Sequence, residues 1–291
     1  MVSTAPAAAT RQTQGIILMV LAMLSIPLVD GLAKFLSVTH SPLFISWARY
    51  AVASMIVLPF AIVVHGRHVF PTERRLPHTL RTIFLVSAMT LYFLAIARVP
   101  LATATSVFFI GPIAAVVLSV VLLKERMTVR KSASLVLGFA GSLVILRPGS
   151  STDPGLLLAL GSGILFAFYL ITTRQASQSS DPVKTLAFQC IVGMLLLTPQ
   201  AIVSWSVPAA ADLKFFVALG LLSAVSHILS ISAFRFAEAS ILAPLVYLEL
   251  IGAAVIGLVV FDEIPGLSTL AGAGLIAVGG LLLVERTRKP T

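Results

Sequence analysis

Cysteine occurs once in these 291 residues, at Cys190. That excludes a disulfide within the chain and any metal site built on a cysteine cluster. Inside its apolar run, Cys190 reads as a small buried hydrophobe. Charge is also scarce. Only 11% of the residues are Asp, Glu, Lys or Arg, where a soluble domain carries about 25%. The sequence contains no HExxH zinc motif, no GxSxG nucleophile elbow and no close pair of aspartates within its apolar runs. An intramembrane enzyme therefore has no motif to rest on, and neither a metal nor a cofactor is expected.

What the chain has is apolar length. Hydrophobic residues make up 58%, and the mean hydropathy is +1.04. A membrane span needs roughly 20 apolar residues, because a helix rises about 1.5 Å per residue across a core of about 30 Å. The runs predict ten spans, at 15–37, 42–64, 79–98, 101–123, 130–147, 155–174, 182–204, 213–234, 239–261 and 267–284. They use most of the chain and leave no room for a separate soluble domain. The first run, behind Arg11, resembles a signal peptide, but it has a counterpart in the second half and is expected to stay.

The net charge of +9 is not a sign of nucleic-acid binding, because the basic residues sit in short loops between spans. With Arg11 in the cytoplasm, fifteen of the twenty lysines and arginines fall on the cytoplasmic side. Lys34, Arg98, Arg147 and Lys214 fall on the other, and only Arg49 lies within a span. This bias predicts a multi-pass protein of the cell inner membrane with both termini cytoplasmic.

The chain is also written twice. At an offset of 140, Gly15, Lys34, Pro42 and Pro59 fall on Gly155, Arg174, Pro182 and Pro199. At 138, Ala95 falls on Ala233, Gly111 on Glu249, Glu125 on Glu263 and Gly141 on Gly279. The expected units are 15–147 and 155–285, joined by the Pro- and Gly-containing linker RPGSSTDP. Five spans per copy is an odd number, so the second copy enters from the opposite side. The predicted fold is all-α: ten transmembrane helices as two inverted five-helix repeats. Transporters recurrently use that plan, with the site at the repeat interface.

Glu249 is the leading site candidate. A carboxylate at mid-membrane costs roughly 2.5–3.5 kcal/mol on insertion scales and normally faces a cavity or a partner. It suits a substrate ammonium or a coupling proton. Tyr247, two residues away, points about 200° round the helix and is not expected to touch the same ligand atom. His227 titrates near neutrality, with Ser226 and Ser230 as expected hydrogen-bond donors. Tyr92, Phe109 and Tyr169 offer an apolar wall for an amphipathic ligand. Asp30 and Lys34, spaced i, i+4, are expected to pair at the outer end of the first span, where they also suit a gate. Arg49 could bind a substrate carboxylate through its forked, always-charged guanidinium, but only seven residues from Pro42 it is expected to snorkel to the outer surface. Pro27, Pro112 and Pro244 interrupt spans and suit hinges. The small residues Ser134, Gly138, Gly141 and Ser142, with Gly272, Gly279 and Gly280, suit a scaffold or a dimer contact. The cavity is expected between helices one, three, four, six, eight and nine.

These residues resemble the EamA branch of the drug/metabolite transporter superfamily. The resemblance rests on LLKE at Leu122–Glu125, VVFDE at Val259–Glu263, FLAIARVPLATA from Phe93, ISAFRFAEASIL from Ile231 and VYLEL at Val246–Leu250. It implies a ten-helix exporter of amino acids or related metabolites, most similar to members that export aromatic amino acids. The substrate is then a small molecule, with a proton-coupled multidrug or cation efflux pump as the alternative. One departure bears on the mechanism. Many members carry proline where this chain has Leu250, while the first copy keeps Pro112, so the helix break is expected in one half only.

Overall fold

The computed structural model describes residues 5–66, 68–71, 75–122, 124, 126–146, 153–176, 181–237 and 242–282. The linker residues 147–152, Glu125, Glu238 and the basic tail lie outside them. The described residues are helical, with no strand among them. In chain order the helices are α1 (Ala5–Leu36), α2 (Pro42–His65), α3 (Arg75–Ile96), α4 (Leu101–Phe108), α5 (Ile110–Leu122) and α6 (Val129–Leu146). Then come α7 (Pro154–Ala176), α8 (Pro182–Val203), α9 (Ala210–Phe236), a 3-10 turn (Ala243–Tyr247), α10 (Leu248–Phe261) and α11 (Leu267–Leu281). Eight stretches are long and apolar enough to cross a membrane, with α4 and α5 counting together as one. The stretches Leu245–Phe261 and Leu267–Leu281 are apolar but shorter.

The prolines that anchor the sequence duplication start helices. Ser41 accepts a hydrogen bond from the Leu43 N–H at 3.3 Å ahead of Pro42. Asp181 accepts one from the Val183 N–H at 2.8 Å ahead of Pro182. A capping oxygen followed by proline is a strong start signal, because proline lacks the N–H that would otherwise go unbonded.

Helix packing follows an exchange pattern. The α3 helix packs on α7 as α1 packs on α9, and α5 packs on α7 as α10 packs on α1. The α2 helix meets α8, and α6 meets α11. Small residues permit the last contact. A Cβ on Gly141 would lie 2.7 Å from the Gly272 carbonyl oxygen, and one on Gly279 would lie 3.1 Å from that of Ser134. The small faces expected to serve as scaffold or dimer contact are thus used up within the chain. Large apolar side chains cover the outside, among them Val63, Val129, Met55, Val203 and Val259. Such a surface is stable against lipid tails rather than water.

Candidate functional site

The site forms where two helices lose regular geometry. Pro112 has no N–H to offer the Phe108 carbonyl, and its ring crowds that carbonyl, so α4 stops at Phe108 and α5 begins at Ile110. In the second half the chain runs as a 3-10 turn through Pro244 and becomes α-helical only from Leu248. The expectation of a break in one half only is therefore corrected. Leu250 leaves α10 intact, but Pro244 displaces the irregular stretch upstream.

Beside these breaks, polar groups from six elements converge. Asp30 of α1, Arg49 of α2 and Glu249 of α10 are 3%, 8% and 8% exposed. All three lie close enough to interact electrostatically. The Tyr92 hydroxyl of α3 lies 3.1 Å from Asp30 Oδ2 and 2.7 Å from Thr105 Oγ1 of α4. Thr105 Oγ1 in turn lies 2.8 Å from the Leu101 carbonyl oxygen. Arg49 donates to His227 Nε2 of α9 at 3.3 Å, which puts the ring proton on Nδ1. The guanidinium also faces the rings of Tyr50 and Phe93 at 5.7 and 5.6 Å.

Several expectations change here. Arg49 does not snorkel; it turns inward, so α2 joins the helices around the site. His227 takes its hydrogen bond from Arg49 rather than from a serine. The Ser226 hydroxyl donates to the Ser223 carbonyl at 3.0 Å, and Ser230, half-buried, forms no hydrogen bond among the described residues. The Thr105 contribution was missed, and that of Arg49 was set behind snorkelling. The signal for Arg49 was present: it is the one lysine or arginine assigned to the interior of a span. Thr105 carried none, since threonine is common in membrane helices for other reasons.

The four aromatic candidates belong to one connected row. Tyr169 stacks on Phe166 at 5.2 Å, Phe166 meets Phe108 at 4.8 Å, and Phe108 meets Tyr92 at 5.2 Å. From Phe108 the row branches through Phe109 at 6.1 Å to Tyr247 at 5.4 Å. The Tyr169 hydroxyl also accepts from Arg81 at 3.2 Å, and the Arg81 Nε donates to Thr173 at 2.9 Å. Tyr247 points away from Glu249: its hydroxyl fills the place where a side chain at Gly280 would go.

Asp30 and Lys34 do not pair with each other. Asp30 faces Tyr92, and the Lys34 ammonium meets Glu263 Oε1 at 2.7 Å and donates to the carbonyls of Ile96 and Val99 at 2.8 Å each. The other Glu263 oxygen accepts from the Leu101 N–H at 2.8 Å. One ion pair thus satisfies carbonyls at the end of α3 and an N–H at the start of α4, closing the end of the molecule at which these helices meet. Pro27 leaves α1 continuous and packs on Gly252, where a Cβ would lie 2.5 Å from the proline ring. Among the described residues, no group of three His, Cys, Asp or Glu side chains is placed to hold a metal.

Buried charge at mid-membrane beside interrupted helices marks a membrane transport protein. The chain belongs to the EamA-like transporter family, which matches it twice, over residues 13–147 and 153–285. An S-adenosylmethionine uptake transporter of Rickettsia prowazekii is 27% identical over 94% of this chain and 94% of its own length. A pseudopaline exporter of Pseudomonas aeruginosa is 25% identical over 94% of this chain and 97% of its own. A solved crystal structure superposes with a TM-score of 0.60 at 18% identity, covering 95% of this chain and 96% of that one. That likeness concerns the fold alone.

Proposed function

We propose that the protein is an inner-membrane carrier that exports amino acids with aromatic or large apolar side chains, or related metabolites. It works by alternating access of two inverted five-helix repeats, 15–147 and 155–285, with both termini in the cytoplasm. The exchange pattern of helix packing and the bias of basic residues support this arrangement. Glu249, held with Asp30 beside the aromatic row, carries the reading. The carboxylate receives the substrate ammonium, and Tyr92, Phe109, Tyr169 and Tyr247 face its side chain. His227 and Ser230 border the site; Asp30, Lys34, Pro27, Pro112 and Pro244 govern its opening. The resemblance of the motifs supports export, since a carrier without coupling moves a metabolite made inside the cell down its gradient. The relatives include one named for uptake and one for export.

The test is counterflow in liposomes with a panel of labelled amino acids and S-adenosylmethionine. Glu249→Gln removes a charge-assisted contact worth about 1.5–3 kcal/mol, or roughly ten- to a hundredfold in affinity. Flux equal to the parent at equal protein level would remove Glu249 from the mechanism.

One observation favours proton coupling as a second reading. The contacts Asp30–Tyr92, Tyr92–Thr105 and Thr105–Leu101 carbonyl are three, but the two hydroxyls bring only two hydrogens. A proton on Asp30 supplies the third and completes the row. Transport that collapses without a pH gradient, and is restored by one, would select this reading.

A further inference from the structure

We propose that the small cavity between α2, α8 and α9 is the seat of the substrate's carboxylate, held by Arg49 and by the hydroxyls of Tyr50 and Ser223. The inference rests on the carrier reading above and names the other end of the ligand whose ammonium goes to Glu249.

The cavity is lined by Arg49, Tyr50, Gln189, Cys190, Ser223 and His227, with two alanines. Arg49 brings the charge. The ion pairs among the described residues are Lys34–Glu263, His40–Asp212 and His65–Asp181. None involves Arg49. Its guanidinium has five N–H donors, and among the described residues the one acceptor it meets is a neutral ring nitrogen, His227 Nε2, at 3.3 Å. The Asp30 and Glu249 carboxylates act on it electrostatically from beyond ion-pair distance, which leaves its planar fork open to match a carboxylate.

The hydroxyls bring an independent observation. Tyr50 and Ser223 are 3% and 2% exposed. Among the described residues, neither the Tyr50 hydroxyl nor the Ser223 hydroxyl has a hydrogen-bond partner. Native interiors rarely leave such groups unpaired, and of the seven such atoms among the described residues these two line one cavity beside a cation. Two donors flanking a guanidinium can complete the coordination of a carboxylate's two oxygens. As it stands the cavity has room for about one water, so a carboxylate enters only as α2, α8 and α9 part, and it enters as an end group. Arg49 also interacts electrostatically with Asp30 and Glu249, so the two ends of an α-amino acid fit the two polar faces. Only one copy of the duplication supplies this charge. At the offset of 140, Arg49 and Tyr50 fall on Gln189 and Cys190, which line the opposite wall of the same cavity.

The experiment uses the full chain in liposomes. The probes are labelled L-phenylalanine, L-methionine and S-adenosylmethionine, each beside its decarboxylated amine. The parent is expected to carry the acid with a KM about tenfold lower than that of the amine, the worth of a hydrogen bond to a charged group. Tyr50→Phe and Ser223→Ala delete unpaired hydroxyls and so keep the fold. Each is expected to raise KM for the acid while leaving the amine unchanged, and Arg49→Gln to erase the preference. Equal handling of acid and amine by the parent overturns the subsite and leaves the carrier reading standing. A rise in KM for both by the same factor assigns the two hydroxyls to packing and likewise overturns it. No saturable flux of any probe overturns the carrier reading, and the subsite with it.

Discussion

Phe109 and Tyr247 face each other with ring centroids 5.4 Å apart and planes at 45°, and each stands where its own helix loses α geometry. They occupy the same position in the two copies, 138 residues apart. The two irregular points are therefore in contact, so movement of one is felt by the other. Aromatic pairs contribute about 0.5–1.5 kcal/mol beyond area burial. A double-mutant cycle of Phe109→Ala and Tyr247→Ala, read by thermal unfolding in detergent, is expected to return a coupling of about that size. Strictly additive effects would mean that the two breaks act independently.

The Lys34–Glu263 pair holds α1 and α10 together at one end of the molecule. Glu263→Gln weakens that contact. Cys190, the chain's one thiol, lies deeper, at the α2–α8–α9 cavity, and supplies a built-in reporter. A membrane-impermeant maleimide added on the side of the α1–α2 connection is expected to label Cys190 several-fold faster in the variant. Unchanged labelling would show that something else keeps this end shut.

Asp181 lies outside the spans, at the start of α8. Burial on its own would raise its carboxyl. The Val183 and Lys184 N–H groups and the His65 ring outweigh that and hold it below the usual carboxylate range. A depressed carboxyl contributes stability that is complete above the unfolded value, about pH 3.9, and is lost as the pH falls through the lower folded value. Asp181→Ala is expected to cost about 1 kcal/mol at neutral pH, as removal of an N-cap does. Unfolding measured from pH 7 downward should show the gap between parent and variant closing only below about pH 4. A gap that closes well above pH 4 would contradict the depressed carboxyl.

Gly141 and Gly274 lie on facing scaffold helices and differ in what surrounds them. A methyl on Gly141 meets the Gly272 carbonyl oxygen at 2.7 Å and Ile276 at 2.8 Å, whereas one on Gly274 meets nothing within 4 Å. Gly141→Ala is expected to destabilise by about 1–3 kcal/mol through overpacking. Gly274→Ala is expected to be neutral or stabilising by up to about 1 kcal/mol from helix propensity. Melting temperatures in one detergent would check both; equal shifts would contradict the packing described.

The all-helical, membrane-spanning character and the helix starts were legible because they rest on local chemistry. Long apolar runs, capping oxygens before Pro42 and Pro182, and small-residue faces all act within a few residues of chain. Glu249 stood out for the same reason, as a lone charge in an apolar run. The errors concern partners rather than elements. Lys34 lies four residues from Asp30, yet its ammonium reaches Glu263, because unbonded backbone at the ends of α3 and α4 needs both groups. Arg49 has a stem long enough to reach the surface, but His227 and the Tyr50 and Phe93 rings hold it inside. The break above α10 falls at Pro244, which the sequence marks as an interruption, and not at the position of Leu250. Long-range side-chain choices depend on which helices become neighbours, and spacing along one helix carries no record of that.

The Lys34–Glu263 contact has a consequence for energetics. Three further short bonds tie its two side chains to backbone atoms of Ile96, Val99 and Leu101, which belong to neither helix. Pulling α10 away from α1 therefore strands peptide groups in the α3–α4 elbow as well as separating two charges. The penalty for parting is concentrated in a single event, so the two helices resist coming apart by degrees.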